Sequence, residues 1–164
     1  MESLSGIYGV NDRVALNPPK LSHVVLRVRS LNKSEEFYKS ILGLKVTGRI
    51  EDKMVFFSST DSSSHQFALT SVGDTAQGPD PLAVGLYHIA WQVESIQELE
   101  LFHQRLKENE IPIVGIGNHG SSIGIYFLDP DGNENEMVYE MPIEQWPNGK
   151  PLFQGKFPKP INFH

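Results

Sequence analysis

KLSHVVLRVRSL (residues 20–31) and GLYHIAWQVESI (residues 85–96) each place a histidine at the fourth position, ahead of an apolar run that closes near a serine. At a constant offset of 65 residues, His23 falls on His88, Val28 on Val93, Ser30 on Ser95, Leu31 on Ile96 and Phe37 on Phe102, with no gap. A repeat present only twice signals a duplicated supersecondary unit rather than a solenoid, which needs at least three copies to bury its faces.

Each copy opens on a strand-like run, followed by a serine suited to cap a helix. The spacing predicts helices over 32–42 and 96–109. Gly43 supplies a left-handed stop for the first, and Pro112 in IPIVG prevents continuation of the second. Two further strands close each unit: MVFFSS and HQFALTS in the first copy, IGIYFLD and NEMVYE in the second. The latter pair flanks DPDGN (residues 129–133), whose Asp-Gly-Asn run favours a tight turn. The pattern is strand, helix, then two or three strands, twice. It predicts an α+β fold of two βαβββ modules, about 20–75 and 85–142, whose curled mixed sheets enclose a cleft. A single domain then spans 20–142. Residues 1–19 form an N-terminal extension, and 143–164 a Pro-rich tail expected to run as extended chain.

At 164 residues such a domain buries roughly two thirds of its unfolded surface. The net charge of −6 offers no basic field for a nucleic-acid backbone. No stretch reads as a membrane segment, and the polar, Pro-broken start lacks the regions of a secretory signal, so a cytoplasmic protein is expected. The chain has no cysteine. Thiolate catalysis and Cys-built metal centres are therefore excluded, and any metal must use His, Asp or Glu.

Strand alternation puts Val24, Leu26 and Val28 on one face and His23, Val25 and Arg27 on the other; the second copy repeats this with Ile89, Trp91, Val93 against His88, Ala90, Gln92. Both histidines thus lie on the less apolar face. Two histidines from equivalent strands plus one carboxylate from a third would make a facial triad with open positions, an arrangement suited to non-heme Fe(II) oxygen chemistry. Glu136, which shares a face with Glu134, Val138 and Glu140, is the preferred carboxylate. Glu140 is its rival two pleats farther on. Taken singly, other histidines read blandly: His65 as a turn residue, His119 as part of a Gly-rich connection, His103 and His164 as surface groups. Tyr126 reads as a core aromatic or as a cleft residue. GIGNHGSSIG lacks the lysine and following helix of a phosphate loop.

HVVLRV…FYKSILGL, HIAWQV and YFLDPDGNENEMVYE together resemble the vicinal oxygen chelate superfamily over roughly residues 20–142, and within it the small single-domain extradiol catechol dioxygenases. The resemblance implies Fe(II) or Mn(II) held by His23, His88 and Glu136. It makes His65, in HQFAL, an acid–base histidine, and His119 and Tyr126 substrate-side groups. The implied partners are a small aromatic diol and O2, and a homodimer is expected for this size. Many extradiol enzymes carry a further, metal-free pair of modules that is missing from these 164 residues. Two rivals share the fold. A glyoxalase-type isomerase or lyase would take a carboxylate from the closing strand of the first unit, where SHQFALT has none. A drug-sequestering protein would need no metal triad.

Overall fold

The computed structural model describes residues 17–147. The first module runs β1 (Val24–Val28), α1 (Leu31–Ser40), β2 (Lys45–Ile50), β3 (Met54–Ser58) and β4 (Phe67–Ser71). The second runs β5 (His88–Val93), α2 (Ile96–Glu108), β6 (Ile113–Asn118), β7 (Ser122–Leu128) and β8 (Glu134–Glu140), followed by a 3₁₀ turn at Ile143–Gln145. The fold is α+β, with two βαβββ modules. Each forms a mixed four-stranded sheet, ordered β1-β4-β3-β2 and β5-β8-β7-β6, in which only the first pair is parallel.

The local signals act as their chemistry dictates. Ser30 Oγ accepts from the Lys33 N–H and Ser95 Oγ from the Glu98 N–H, so each helix starts on a satisfied donor. The α1 helix ends two residues earlier than the spacing predicts, because Ile41 already serves as its C-cap. Gly43, at φ +75°, then turns the chain, with its N–H on Lys39 and that of Leu44 on the Tyr38 carbonyl. In the DPDGN turn, Asp129 Oδ1 accepts from the Asp131 and Asn133 N–H groups at 2.9 and 2.8 Å, and Gly132 takes φ +86°. Strands β2 and β6 are the elements least visible in the sequence. Part of the Gly-rich run that reads as a connection is β6, paired with β7. Both strands carry a register shift near their starts, after Val46 in β2 and after Ile113 in β6, which blurs alternation.

The modules share one core. Tyr38, fully buried on α1, lies 4.6 Å from the Phe67 ring of its own sheet and 6.3 Å from Trp91 of the other. Phe67 also meets Trp91 edge-on at 5.2 Å, and Phe127 of β7 contacts Phe37 of α1 and Phe102 of α2 at 6.4 and 5.2 Å. A polar chain runs through this contact: the Tyr38 hydroxyl donates to Asp129, while Trp91 Nε1 donates to Asn135. At the rim, Arg29 donates from its guanidinium and backbone to the two Asp131 oxygens, at 3.0 and 3.1 Å. The helix-covered faces of the two sheets are therefore turned inward against each other. The opposite faces, carrying His23, Val25 and Arg27 on one sheet and Ala90 and Gln92 on the other, are turned outward and exposed. Among the described residues, His23, His88 and Glu136 do not come together at one place.

Candidate metal and substrate site

On β8, Glu136 pairs across to Ala90 of β5 and Tyr126 of β7, so the three share the outward face. Glu136 is buried, at 7% exposure, although it lies on that face. Gly124 makes room for it: a Cβ there would collide with the carboxylate. His88 starts β5 and brings Nε2 to 3.3 Å from Glu136 Oε2. Its Nδ1 lies 3.4 Å from Glu134 Oε1 but out of alignment, so this buried nitrogen has no hydrogen-bond partner. Glu134 is the residue that sequence reasoning left without a role. Its parity with Glu136 was the available signal, and the pairing of His88 with Glu134 across β5 and β8 turns it into a neighbour.

The Tyr126 hydroxyl is 2.8 Å from His119 Nε2, and its ring packs edge-on against His88 at 5.6 Å. Burial, then the negative charge of Glu136, push the phenol well above its ordinary pKa, which keeps it protonated and a donor. The structure thus brings His88, Glu136, Tyr126 and His119 together. Glu140 is exposed at the end of β8, with Ser122 as its cross-strand partner.

His23 and His65 form a separate group on the first module. Their rings are 4.5 Å apart, and His65 packs edge-on against Phe56 at 5.3 Å. The His65 side chain therefore joins the outward face of β3 rather than standing free in a turn. His23 is exposed, with Nδ1 3.2 Å from Ser22 Oγ. A cavity of about 700 Å³ opens farther along this face, lined by Val25, Arg27, Thr70, Leu86 and Asp131 among others, and neither His88 nor Glu136 lines it. His103 is half-buried rather than superficial, and burial together with Lys107 holds its imidazole below the ordinary value. His164 and the tail beyond Pro147 lie outside the described residues, as does most of the N-terminal extension.

Imidazole and carboxylate are the right donors for Fe(II) or Mn(II), and the His88–Glu136 separation suits neighbouring positions around one ion, each about 2.1 Å away. The unsatisfied Nδ1 beside Glu134 fits the outer partner that a ligating histidine commonly has. Among the described residues, however, no three His, Asp or Glu side chains stand close enough to hold one ion. Of the three expected donors, His88 and Glu136 stand together and His23 does not join them.

The model of the Glyoxalase/Bleomycin resistance protein/Dioxygenase superfamily matches residues 20–137. The chain belongs to this superfamily. It is 30% identical over 126 residues to the catechol-2,3-dioxygenase of Bacillus subtilis (strain 168), covering 77% of this chain and 43% of that enzyme. The chain thus spans less than half the length of that dioxygenase. It is equally 30% identical over 126 residues to the lactoylglutathione lyase of Neisseria meningitidis (serogroup A / serotype 4A, strain DSM 15465 / Z2491), covering 73% of this chain and 89% of the lyase. Among solved structures, a glyoxalase/dioxygenase from Nostoc punctiforme superposes with a TM-score of 0.64 at 25% identity, over 81% of this chain and 99% of that one. Members similar to this chain therefore include both dioxygenases and lyases. Among the described residues, no helix is long and apolar enough to cross a membrane.

Proposed function

We propose that this chain is a metal-dependent extradiol dioxygenase that cleaves the ring of a small catecholic diol with O2. The observation that carries this reading is the donor set. Strand β4 (Phe67–Ser71) contains no carboxylate, so it offers no acid as a fourth ligand, and a three-ligand centre of His23, His88 and Glu136 would leave positions for both diol and O2. The ion, Fe(II) or Mn(II), would supply the Lewis-acid and redox chemistry that O2 requires.

The chain's own groups divide the remaining work. His88 and Glu136 would hold the ion, with His23 as the third ligand. Tyr126, kept protonated by burial and by Glu136, would donate a hydrogen bond to a diol oxygen, and His119, 2.8 Å from that hydroxyl, would fix its direction. His65 would exchange protons with the reacting ring, a role open to an imidazole that can both accept and donate a proton.

The test is anaerobic loading with Fe(II) or Mn(II), then oxygen and a panel of catechols, followed by the absorbance of the yellow ring-opened product. In His65→Gln, metal content should persist while single-turnover rate falls by roughly 10² to 10⁴, the usual share of positioned acid–base catalysis. Wild-type rates would remove His65 from the mechanism. The lyase reading draws its support from the 89% coverage of the Neisseria meningitidis enzyme. Lactoylglutathione lyase activity without catechol cleavage would select it instead.

A further inference from the structure

His88 has a carboxylate at each of its two nitrogens. As the first residue of β5 it stands across from Glu134 of β8, and the next pair on the same face is Ala90 with Glu136. Nε2 lies 3.3 Å from Glu136 Oε2, and Nδ1 lies 3.4 Å from Glu134 Oε1. Tyr87 and Tyr126 pack edge-on against the imidazole, with ring centres at 5.2 and 5.6 Å, and restrict its rotation. Nδ1 is closed off from solvent and has no hydrogen-bond partner, and the Glu134 carboxylate is the acceptor within reach. A small rotation of the Glu134 side chain brings the two to hydrogen-bond length.

A neutral imidazole carries one N–H, and the hydrogen bond made by one nitrogen decides which of the two keeps its lone pair. The two carboxylates therefore compete for a single proton. With the proton on Nε2, His88 donates to Glu136, and the two groups that would hold the ion are occupied with each other. With the proton on Nδ1, His88 donates to Glu134, while the Nε2 lone pair and the Glu136 carboxylate stay free side by side. Only the second tautomer is ready for an ion. The competitors are held in a fixed relation by the strand itself, since a period of two puts Glu134 and Glu136 on one face. Asn135 between them points inward, where its Oδ1 accepts from Trp91 Nε1 of β5 at 2.9 Å and ties the same stretch of β8 to the histidine's own strand.

Resting on the metal-dependent reading above, we propose that Glu134 is a positioning residue, which accepts the Nδ1–H of His88 and so reserves Nε2 for the ion. Without that carboxylate the buried Nδ1–H has no partner, and the proton moves to the nitrogen that faces Glu136. Only chains in the competent tautomer take up the ion, so the apparent affinity falls by the fraction that remains competent.

The test has two arms, both on the full-length chain. In the first, nitrogen NMR of metal-free, histidine-labelled protein reports the tautomer above the titration of the imidazole, the His88 signals being those lost in His88→Ala. Wild type should show Nδ1–H with a bare Nε2, and Glu134→Leu should show the reverse, a change that a merely structural role would not produce. In the second, Mn(II) alone is titrated calorimetrically. Kd should rise by about 10 to 100-fold in Glu134→Leu, the scale for loss of a ligand's outer partner. Glu134→Gln should stay close to wild type, because its amide oxygen still accepts. Wild-type affinity in Glu134→Leu would overturn the proposal, and so would an equal loss in Glu134→Gln, which would make the residue a charged ligand. The wild-type spectrum needs no variant to fold: an Nε2–H tautomer in protein that does bind Mn(II) overturns this proposal alone. Wild-type protein that binds no Mn(II) under any loading would instead sink the metal-dependent reading, and this proposal with it.

Discussion

Glu136 occupies an unusual position for a carboxylate, buried on an outward face, with the hydrogen-only side of Gly124 beneath it. That arrangement separates the effect of losing the carboxylate from the effect of misplacing it. Glu136→Ala should abolish most Mn(II) binding while the fold persists, because the aromatic core lies on the opposite face. Glu140→Ala should bind almost as the wild type does, since Glu140 is exposed at the strand's end. Gly124→Ala retains every donor but pushes the carboxylate aside, so affinity should fall by about 10 to 100-fold, the scale seen when the support of a ligand is disturbed. Isothermal titration with Mn(II) compares all three, and normal binding in the Glu136 variant would place the acid elsewhere.

At the scale of elements, α1 owes its position to Tyr38. Its hydroxyl donates to Asp129 at 3.0 Å, joining a helix of one module to the β7–β8 turn of the other. Tyr38→Phe leaves that buried acceptor one partner short and should cost about 1–3 kcal/mol in chemical denaturation. Burial raises the Asp129 pKa above the ordinary carboxylate value, against the pull of its bonds from Asn133 and Tyr38. A carboxyl with a raised folded pKa takes its proton more readily in the folded state. Its contribution is therefore fully present below the ordinary Asp range and is lost as pH rises through the raised value. Asp129→Asn removes this dependence, so the thermal midpoint of the wild type should fall relative to the variant over the interval that starts at the ordinary Asp value of about 4 and runs up through the raised one. A constant difference across that interval would show that Asp129 titrates normally.

For the whole molecule, the shared core makes two modules into one cooperative unit. Phe127 touches α1 and α2 at once. Phe127→Ala should destabilise by about 3–5 kcal/mol, and denaturation followed by tryptophan fluorescence and by far-ultraviolet circular dichroism should still give one coincident transition. Separate transitions would mean that the modules fold independently.

Read alone, the sequence determined the duplicated unit, both helix caps, the Gly43 stop, the DPDGN turn and the facing of His88, Glu136 and Tyr126. All of these follow from local rules, the period of two along a strand and the hydrogen bonds of single side chains, which act over a few residues. It did not disclose β2 and β6, where a register shift interrupts alternation. Nor did it reveal the partnership of His65 with Phe56 or the place of Glu134 beside His88, since neither is periodic in the chain. Alternation says that His23 and His88 leave their strands on the face away from the core, but not whether two such faces meet. That was decided by the tertiary contacts of Tyr38, Phe67, Trp91 and Phe127, because burying the apolar faces against each other fixes the opposite faces as outward ones.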